Sequence, residues 1–265
     1  MLRMFQVDAF TDRVFAGNPA AVLILDAWLD DAVMQSIAQE NNLSETAFAV
    51  PSVASAWGLR WFTPAHEADF CGHATLATAH VLTAEYGVSG TMTFHTRMGD
   101  LRAAKDGEAY CIDIPALPPE PLNAMPKELD GAFAAPPTDV FRNFENVFAN
   151  LGSEAAVRRF KPDLMRISRL GKTGLVVTGV GDGTSGAAFV SRYFAPGAGI
   201  SEDPVTGSTH ATLAPYWSSI LGTSRGRAFQ ASPRGGWLDY ELVKDRVFLR
   251  GAARTFMEAT IFPPD

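Results

Sequence analysis

Two similar series of elements follow one another along the chain. Strand-like residues from Met4 to Phe10 give way to a loop through AGNP and a second strand, AAVLIL. In WLDDAVMQSIAQENN the apolar positions Leu29, Val33, Met34, Ile37 and Ala38 recur at helical spacing. SETAFAV and WGLRWFTP are rich in β-branched and aromatic residues and predict strands. The pattern then changes. From Gly72 to Ala84 there is no Asp, Glu, Lys or Arg, and Gly207 to Leu221 has none either. A helix with no charged face is buried on all sides, so each segment predicts a central helix wrapped by strands. Gly87 and Gly222 stand where helix stops are expected, and Pro215 is expected to kink the second helix and remove one backbone bond.

The two series are related. Gly72 matches Gly207, Gly87 matches Gly222 and Phe94 matches Phe229, all at an offset of 135. Upstream, Phe62-Thr63-Pro64 echoes Phe194-Ala195-Pro196. A helix around SEAAVRRF and strands TGLVVTGVG and GAAFVSRYFAP lead into the second copy. Because the offset persists through strand, helix and strand, the chain reads as a duplicated unit. Between the copies, Pro115 to Pro137 holds seven prolines in 23 residues and predicts a linker. The expected fold class is α+β with two pseudo-symmetric lobes, 1–117 and 118–265. Each is a β-barrel-like sheet around a central helix, with the last strand able to return to the first lobe.

Composition narrows the partners. The 265 residues are 47% hydrophobic and 19% charged, as in an ordinary globular protein with a large core. A net charge of -7 without a basic run argues against nucleic acid or an anionic membrane as the main partner. No apolar run approaches membrane-spanning length and the start shows no secretory apolar core, so the cytoplasm is the expected compartment. Cys71 and Cys111 are too few for a disulfide framework or a four-thiolate zinc site. His73 and His80 are seven apart with no third ligand evident, and no metal is expected.

The candidate chemistry gathers at the helix starts. A buried helix must still satisfy the N–H groups of its first turn, and two such ends facing one another across a cleft favour an anion. Side-chain caps and water are the alternative. Cys71-Gly72-His73 flanks the first start and SEDPVTGS flanks the second. Singly, each residue has a structural explanation. Asp203 before a proline suits an Asx turn, Ser208 suits a capping hydroxyl, His73 suits a neutral core histidine, and Cys71 suits a small buried filler. Glu45 shares a strand face with Ala47 and Ala49, leaving space beside a carboxylate that suits a general acid/base; an edge-strand Glu in water is the other possibility.

The segments FTDRVFAGNPAAV, NLSETAF, WFTPAHEADFCGHATLATA, SRYFAPGAGISEDPVTGSTHATLAPYW and QASPRGG resemble the PhzF family of phenazine-biosynthesis-type isomerases, which share the diaminopimelate epimerase fold. The resemblance runs over nearly the whole chain and is loose only from about Leu117 to Phe148. It implies a homodimer, no metal or organic cofactor, and a small carboxylate substrate such as trans-2,3-dihydro-3-hydroxyanthranilate. It implies Glu45 as the proton shuttle, with His73 and Asp203 as its catalytic companions. Gly72, Gly207, Ser208, Cys71 and Asn18 are implied to contact substrate. Related two-thiol racemases carry a cysteine at both helix starts, whereas Cys71 here is matched by Thr206. A one-thiol dehydratase of hydroxyproline type, a Cys71-dependent epimerase and a non-catalytic binding protein remain alternatives.

Overall fold

A computed structural model describes residues 1–53 and 56–263. The chain divides into two compact units, Met1–Ile114 with Phe248–Asp265, and Pro115–Val247. The chain passes between the units at 114/115, three residues from the expected 117/118 boundary, and again at 247/248, so the last strand lies in the first unit. The reason is strand pairing: Ala253–Ile261 lies antiparallel to Leu2–Ala9, which places it in the first unit.

In the first unit the sheet runs from Ala253–Ile261 through Leu2–Ala9 to Asn18–Ile24, then parallel to Glu45–Pro51 and antiparallel to Ala56–Phe62. It continues parallel to Thr91–Thr96 and antiparallel through Gly99–Asp106 to Ala109–Pro115. The helix Gly72–Tyr86 touches Asn18–Ile24, Leu2–Ala9, Gly99–Asp106 and Ala253–Ile261, so strands from both ends of that order curl around it. From Gly72 through Ala79 every residue is buried, as a charge-free segment requires. Two of its hydroxyls are satisfied within the helix, Thr75 and Thr78 donating to the carbonyls of Cys71 and Ala74 at 2.6 and 2.7 Å. Gly87 ends it in the left-handed conformation, φ 67°, that a side chain would strain. The helix Asp31–Asn41 covers the outer face, packing Met34 and Ala38 against Leu23, Phe48 and Phe62. Glu45–Pro51 is therefore a central strand covered on both faces.

The second unit repeats the series. Asn146–Asn150 runs parallel to Gly174–Val180, which pairs antiparallel with Phe189–Ala195. That strand lies parallel to Arg225–Gln230, and Gly236–Val243 follows antiparallel. The repeat holds at the level of register. Phe62 pairs with Thr46 in one unit, and Phe194 with Leu175 in the other, so Glu45 and Gly174 are equivalent first residues of equivalent strands. A side chain at 174 would clash with Asn146 Oδ1 and with the Tyr193 ring. The carboxylate thus has no counterpart in the second copy.

Two local expectations are corrected. The helix of the second unit is His210–Leu221, not a segment starting at Gly207. His210 and Ala211 donate to the carbonyls of Gly207 and Ser208 at 3.0 Å each, the tighter 3₁₀ pattern, so Gly207 and Ser208 lie in a turn ahead of the helix. The proline-rich stretch is not a linker but part of the second unit. Pro121 pairs with Phe141 in a short edge strand, where a missing N–H is tolerated, and Leu129 is buried in the core. Pro215 lies inside the helix as expected. Lacking an N–H, it leaves the Ala211 carbonyl free of its helical partner, and the Leu117 N–H donates to that carbonyl at 2.8 Å.

Candidate active site

In the first unit the start of Glu45–Pro51 with the residue before it, the start of Asn18–Ile24 and the start of Gly72–Tyr86 bring five side chains together. His73 Nε2 stands 3.1 Å from Glu45 Oε2. The approach is at ion-pair distance but off the hydrogen-bond line. Both atoms are buried, and neither has a hydrogen-bond partner among the described residues. On the other edge of the ring, Asn18 Nδ2 lies 3.2 Å and Cys71 Sγ 3.5 Å from His73 Nδ1. The Ser44 hydroxyl donates to Asn18 Oδ1 at 3.1 Å, which orients the amide. Asn18 is wholly buried, and only 13% of the Glu45 side chain is exposed. A solvated edge-strand glutamate is thereby excluded. Asp69, which flanks the same helix start in sequence, is exposed and pairs with Arg97 at 3.1 Å.

Electrostatics distinguishes these groups. Burial opposes charge on His73, but Cys71 and Glu45 outweigh it and hold the imidazole pKa well above its usual value. Cys71 is itself kept a thiol, pushed up to about 11 by burial and by the Glu45 carboxylate. His73 is thereby held toward its protonated form, which argues against a neutral core histidine. Protonation at Nδ1 calls for an acceptor there. Rotation of the Asn18 amide supplies one, since the Ser44 hydroxyl can either donate or accept.

In the second unit Asp203 is buried and accepts from Thr206 Oγ1 at 2.5 Å. Gln230, also fully buried, organises this corner. Its Nε2 donates to Thr206 Oγ1 at 3.1 Å and to the Asp203 carbonyl at 2.9 Å, while its Oε1 accepts from Thr206 N–H at 2.8 Å. With Gln230 donating into its oxygen, the Thr206 hydroxyl commits its one hydrogen to Asp203. Neither Cys71 nor Thr209, the residues capping the two helices, makes a side-chain capping bond. Sequence reasoning singled out Glu45, His73, Cys71 and Asn18, which the structure brings together, but it missed Ser44 and Gln230. The signal for Gln230 was present in QASPRGG, but nothing local marks an amide in a strand as buried.

His210 sits beside this corner, fully buried and stacked on Phe189. Its Nδ1 lies 3.0 Å from the Thr206 carbonyl, so in the neutral ring that nitrogen carries the proton. Burial lowers its pKa to about 4 despite that contact. His80, in the first unit, is likewise lowered to about 4 by burial, with Arg254 and Lys105 adding to the effect. An unfolded histidine takes up a proton near pH 6.5, so as pH falls from 6.5 toward 4 the unfolded chain binds protons that the native one does not. The contribution of these two histidines should be constant above neutrality and fall in that window, while that of His73, whose pKa is raised, is lost as pH rises above 6.5. The expected loss is on the order of 2 kcal/mol from His210 by pH 5. Urea midpoints at pH 8, 6 and 5 measure it, and a His210→Gln chain should show a shallower decline.

Comparison with known proteins gives the chain its relatives. A family model described as phenazine biosynthesis-like protein matches residues 7–259. An uncharacterised isomerase of Pseudomonas aeruginosa is 46% identical over 253 residues, 95% of each chain. The crystal structure of a PhzF-family phenazine biosynthesis protein from Enterococcus faecalis aligns with TM-score 0.92 at 42% identity, covering 98% of this chain and 99% of that one. A probable proline racemase from Agrobacterium radiobacter reaches TM-score 0.68 at 10% identity over 99% of this chain and 93% of that one, a likeness of fold alone.

Proposed function

The chain belongs to the phenazine biosynthesis-like PhzC-PhzF family, and we propose that it is a cofactor-independent isomerase that moves a proton within a small carboxylate substrate, with Glu45 as general acid/base. The buried Glu45–His73 pair is the observation that carries this reading. A carboxylate removes a carbon-bound proton only while ionised, and Glu45 Oε2 stands at ion-pair distance from His73 Nε2. Glu45 takes a proton from carbon next to an unsaturated system, the electron pair moves into that system, and the same oxygen returns the proton at another carbon. Its lack of a hydrogen-bond partner leaves the Oε2 lone pairs available for this.

The remaining roles follow the family pattern. In the first unit Gly72 offers a backbone N–H to an anionic group; in the second, Gly207 offers a backbone N–H and Asp203 and Ser208 offer polar side chains. The reaction is of the trans-2,3-dihydro-3-hydroxyanthranilate isomerase type. The protein acts as a homodimer in the cytoplasm. No helix among the described residues is long and apolar enough to cross a membrane. Incubating the protein with that dihydroanthranilate in deuterated water should introduce deuterium at carbon. A binding protein on the same fold would leave the label out.

One observation favours a second reading, a Cys71-dependent epimerase or hydroxyproline-type dehydratase: the Cys71 thiol touches His73. Two observations weigh against it. The thiol is held protonated to about 11 by burial and Glu45, and its repeat-mate Thr206 has its hydroxyl bound to Asp203. Cys71→Ala should keep turnover within about tenfold of wild type, since a small core filler is all it replaces. A loss of about a thousandfold, as expected for removal of a nucleophile or acid/base, would favour the thiol mechanism.

A further inference from the structure

We propose that His210, together with Thr209, is a positioning residue that aims the Gly207 N–H at an anionic group of the ligand, a carboxylate in kind. The inference deepens the reading of Gly207 as an anion donor in the second unit and rests on it. It does not depend on which proton the enzyme moves.

A peptide unit is planar and trans, so its C=O and N–H point opposite ways, and fixing one aims the other. The Gly207 N–H belongs to the same unit as the Thr206 carbonyl. Gly207 is buried, and its N–H donates to no group among the described residues. The carbonyl behind it is held by side chains alone. Thr209 Oγ1 donates to it at 2.8 Å and His210 Nδ1 at 3.0 Å. No backbone N–H among the described residues reaches it, because the tight turn commits the His210 N–H to Gly207 and the Ala211 N–H to Ser208.

The first unit shows what the two side chains replace. Thr75 is the match of His210 at the offset of 135. There the Cys71 carbonyl, opposite the Gly72 N–H, accepts from Thr75 N–H at 3.2 Å and from Thr75 Oγ1 at 2.6 Å. An α-helical backbone bond and a short side chain suffice. With that backbone bond lost to the 3₁₀ turn, the carbonyl needs a donor of longer reach, and the imidazole supplies it. The pentapeptide HATLA begins at both His73 and His210, yet the two rings act differently. His73 faces Glu45, whereas His210 faces a backbone carbonyl and lies against Phe189, ring centroids 5.8 Å apart. Because a carbonyl only accepts, Nδ1 carries the proton, and Nε2 is left buried with no hydrogen-bond partner among the described residues. Were His210 a packing residue only, an apolar ring would fill the place without an unsatisfied acceptor.

Calorimetric binding of anthranilate, a stable aromatic carboxylate, to the full chain tests this without turnover. His210→Leu should weaken binding by about tenfold or more, as expected when a charge-assisted hydrogen bond is misdirected. His210→Asn, whose amide nitrogen falls where Nδ1 stood, should bind within a few-fold of wild type. Thr209→Val, isosteric but without the second donor, should weaken binding several-fold. Circular dichroism verifies that each variant folds. In deuterium exchange with trans-2,3-dihydro-3-hydroxyanthranilate, His210→Leu should raise KM and leave kcat nearly unchanged, the signature of lost uniform binding. A merely structural histidine would move the urea midpoint and not that split. Binding unchanged in His210→Leu, or equally weak in His210→Asn, overturns the inference. Should His210→Leu fail to fold, Thr209→Val loosens the same carbonyl and decides, undiminished binding there overturning it. A wild-type chain that binds no anthranilate overturns it together with the anion role of Gly207. A chain that binds anthranilate and responds to His210 as expected, yet incorporates no deuterium, supports the inference and sinks the isomerase assignment alone.

Discussion

Glu45→Gln is expected to lose about a thousandfold in turnover while remaining folded and able to bind substrate. The amide is nearly isosteric with the carboxylate but cannot accept a proton from carbon, and general acid/base groups contribute about 10²–10⁴-fold. Binding should survive because the proposed carboxylate anchors are backbone N–H groups at Gly72 and Gly207, which the substitution does not touch. The His73 partner is changed, however. Without Glu45 the imidazole loses the group that charges it, and burial then favours the neutral ring. The decisive measurement is deuterium incorporation at carbon alongside a binding isotherm. If turnover stays within a few-fold of wild type while the substrate is the true one, Glu45 is not the base and another group must move the proton. A protein that no longer binds would instead place Glu45 among the binding groups.

Gln230→Leu is expected to be the most damaging change outside the Glu45–His73 pair. Leucine matches the volume of glutamine but offers neither donor nor acceptor. The Thr206 N–H and the Asp203 carbonyl, both served by the Gln230 side chain, would each lose a partner in a buried corner. An unsatisfied buried group costs about 1–3 kcal/mol, so the pair should lower stability by about 2–6 kcal/mol. The effect on the reaction is separate. Once Gln230 no longer donates into Thr206 Oγ1, the Thr206 hydrogen is free to turn away and the Asp203 carboxylate loses that donor. Urea unfolding gives the first quantity, and the split between kcat and KM gives the second. A change in stability below about 1 kcal/mol would mean that water replaces the amide and that Gln230 does not hold this corner.

The recognisable and the hidden parts of this protein divide along physical lines. A charge-free stretch such as Gly72–Ala84 has few options in water except burial, so its central place was legible from composition alone. The 135-residue offset was legible for a similar reason, because equivalent positions in a duplicated unit face equivalent neighbours. Glu45 was visible as a carboxylate among small side chains. Whether its strand was an edge or a centre was not, since that depends on Asn18–Ile24 and Ala56–Phe62 pairing on either side of it.

Errors arose where local composition competes with long-range pairing. Seven prolines predicted a linker, yet a proline without an N–H is also well suited to an edge strand, and Pro121 serves as one. The glycine matching of Gly72 and Gly207 predicted identical helix starts. In the second unit three residues close into a tighter turn first, a difference of hydrogen-bond span that residue identity does not carry.

Sequence by itself determined the duplication, the two buried helices, the strand bearing Glu45 and the family to which these patterns point. Those properties follow from side-chain chemistry at fixed short spacing, where burial and periodicity are one and the same constraint. Only the tertiary structure decided that Glu45, Cys71, His73 and Asn18 meet, that the final strand closes the first unit, and that Gln230 governs Asp203. Each of those depends on strand register and on packing between segments far apart in the chain, and no local pattern encodes the distance between such groups.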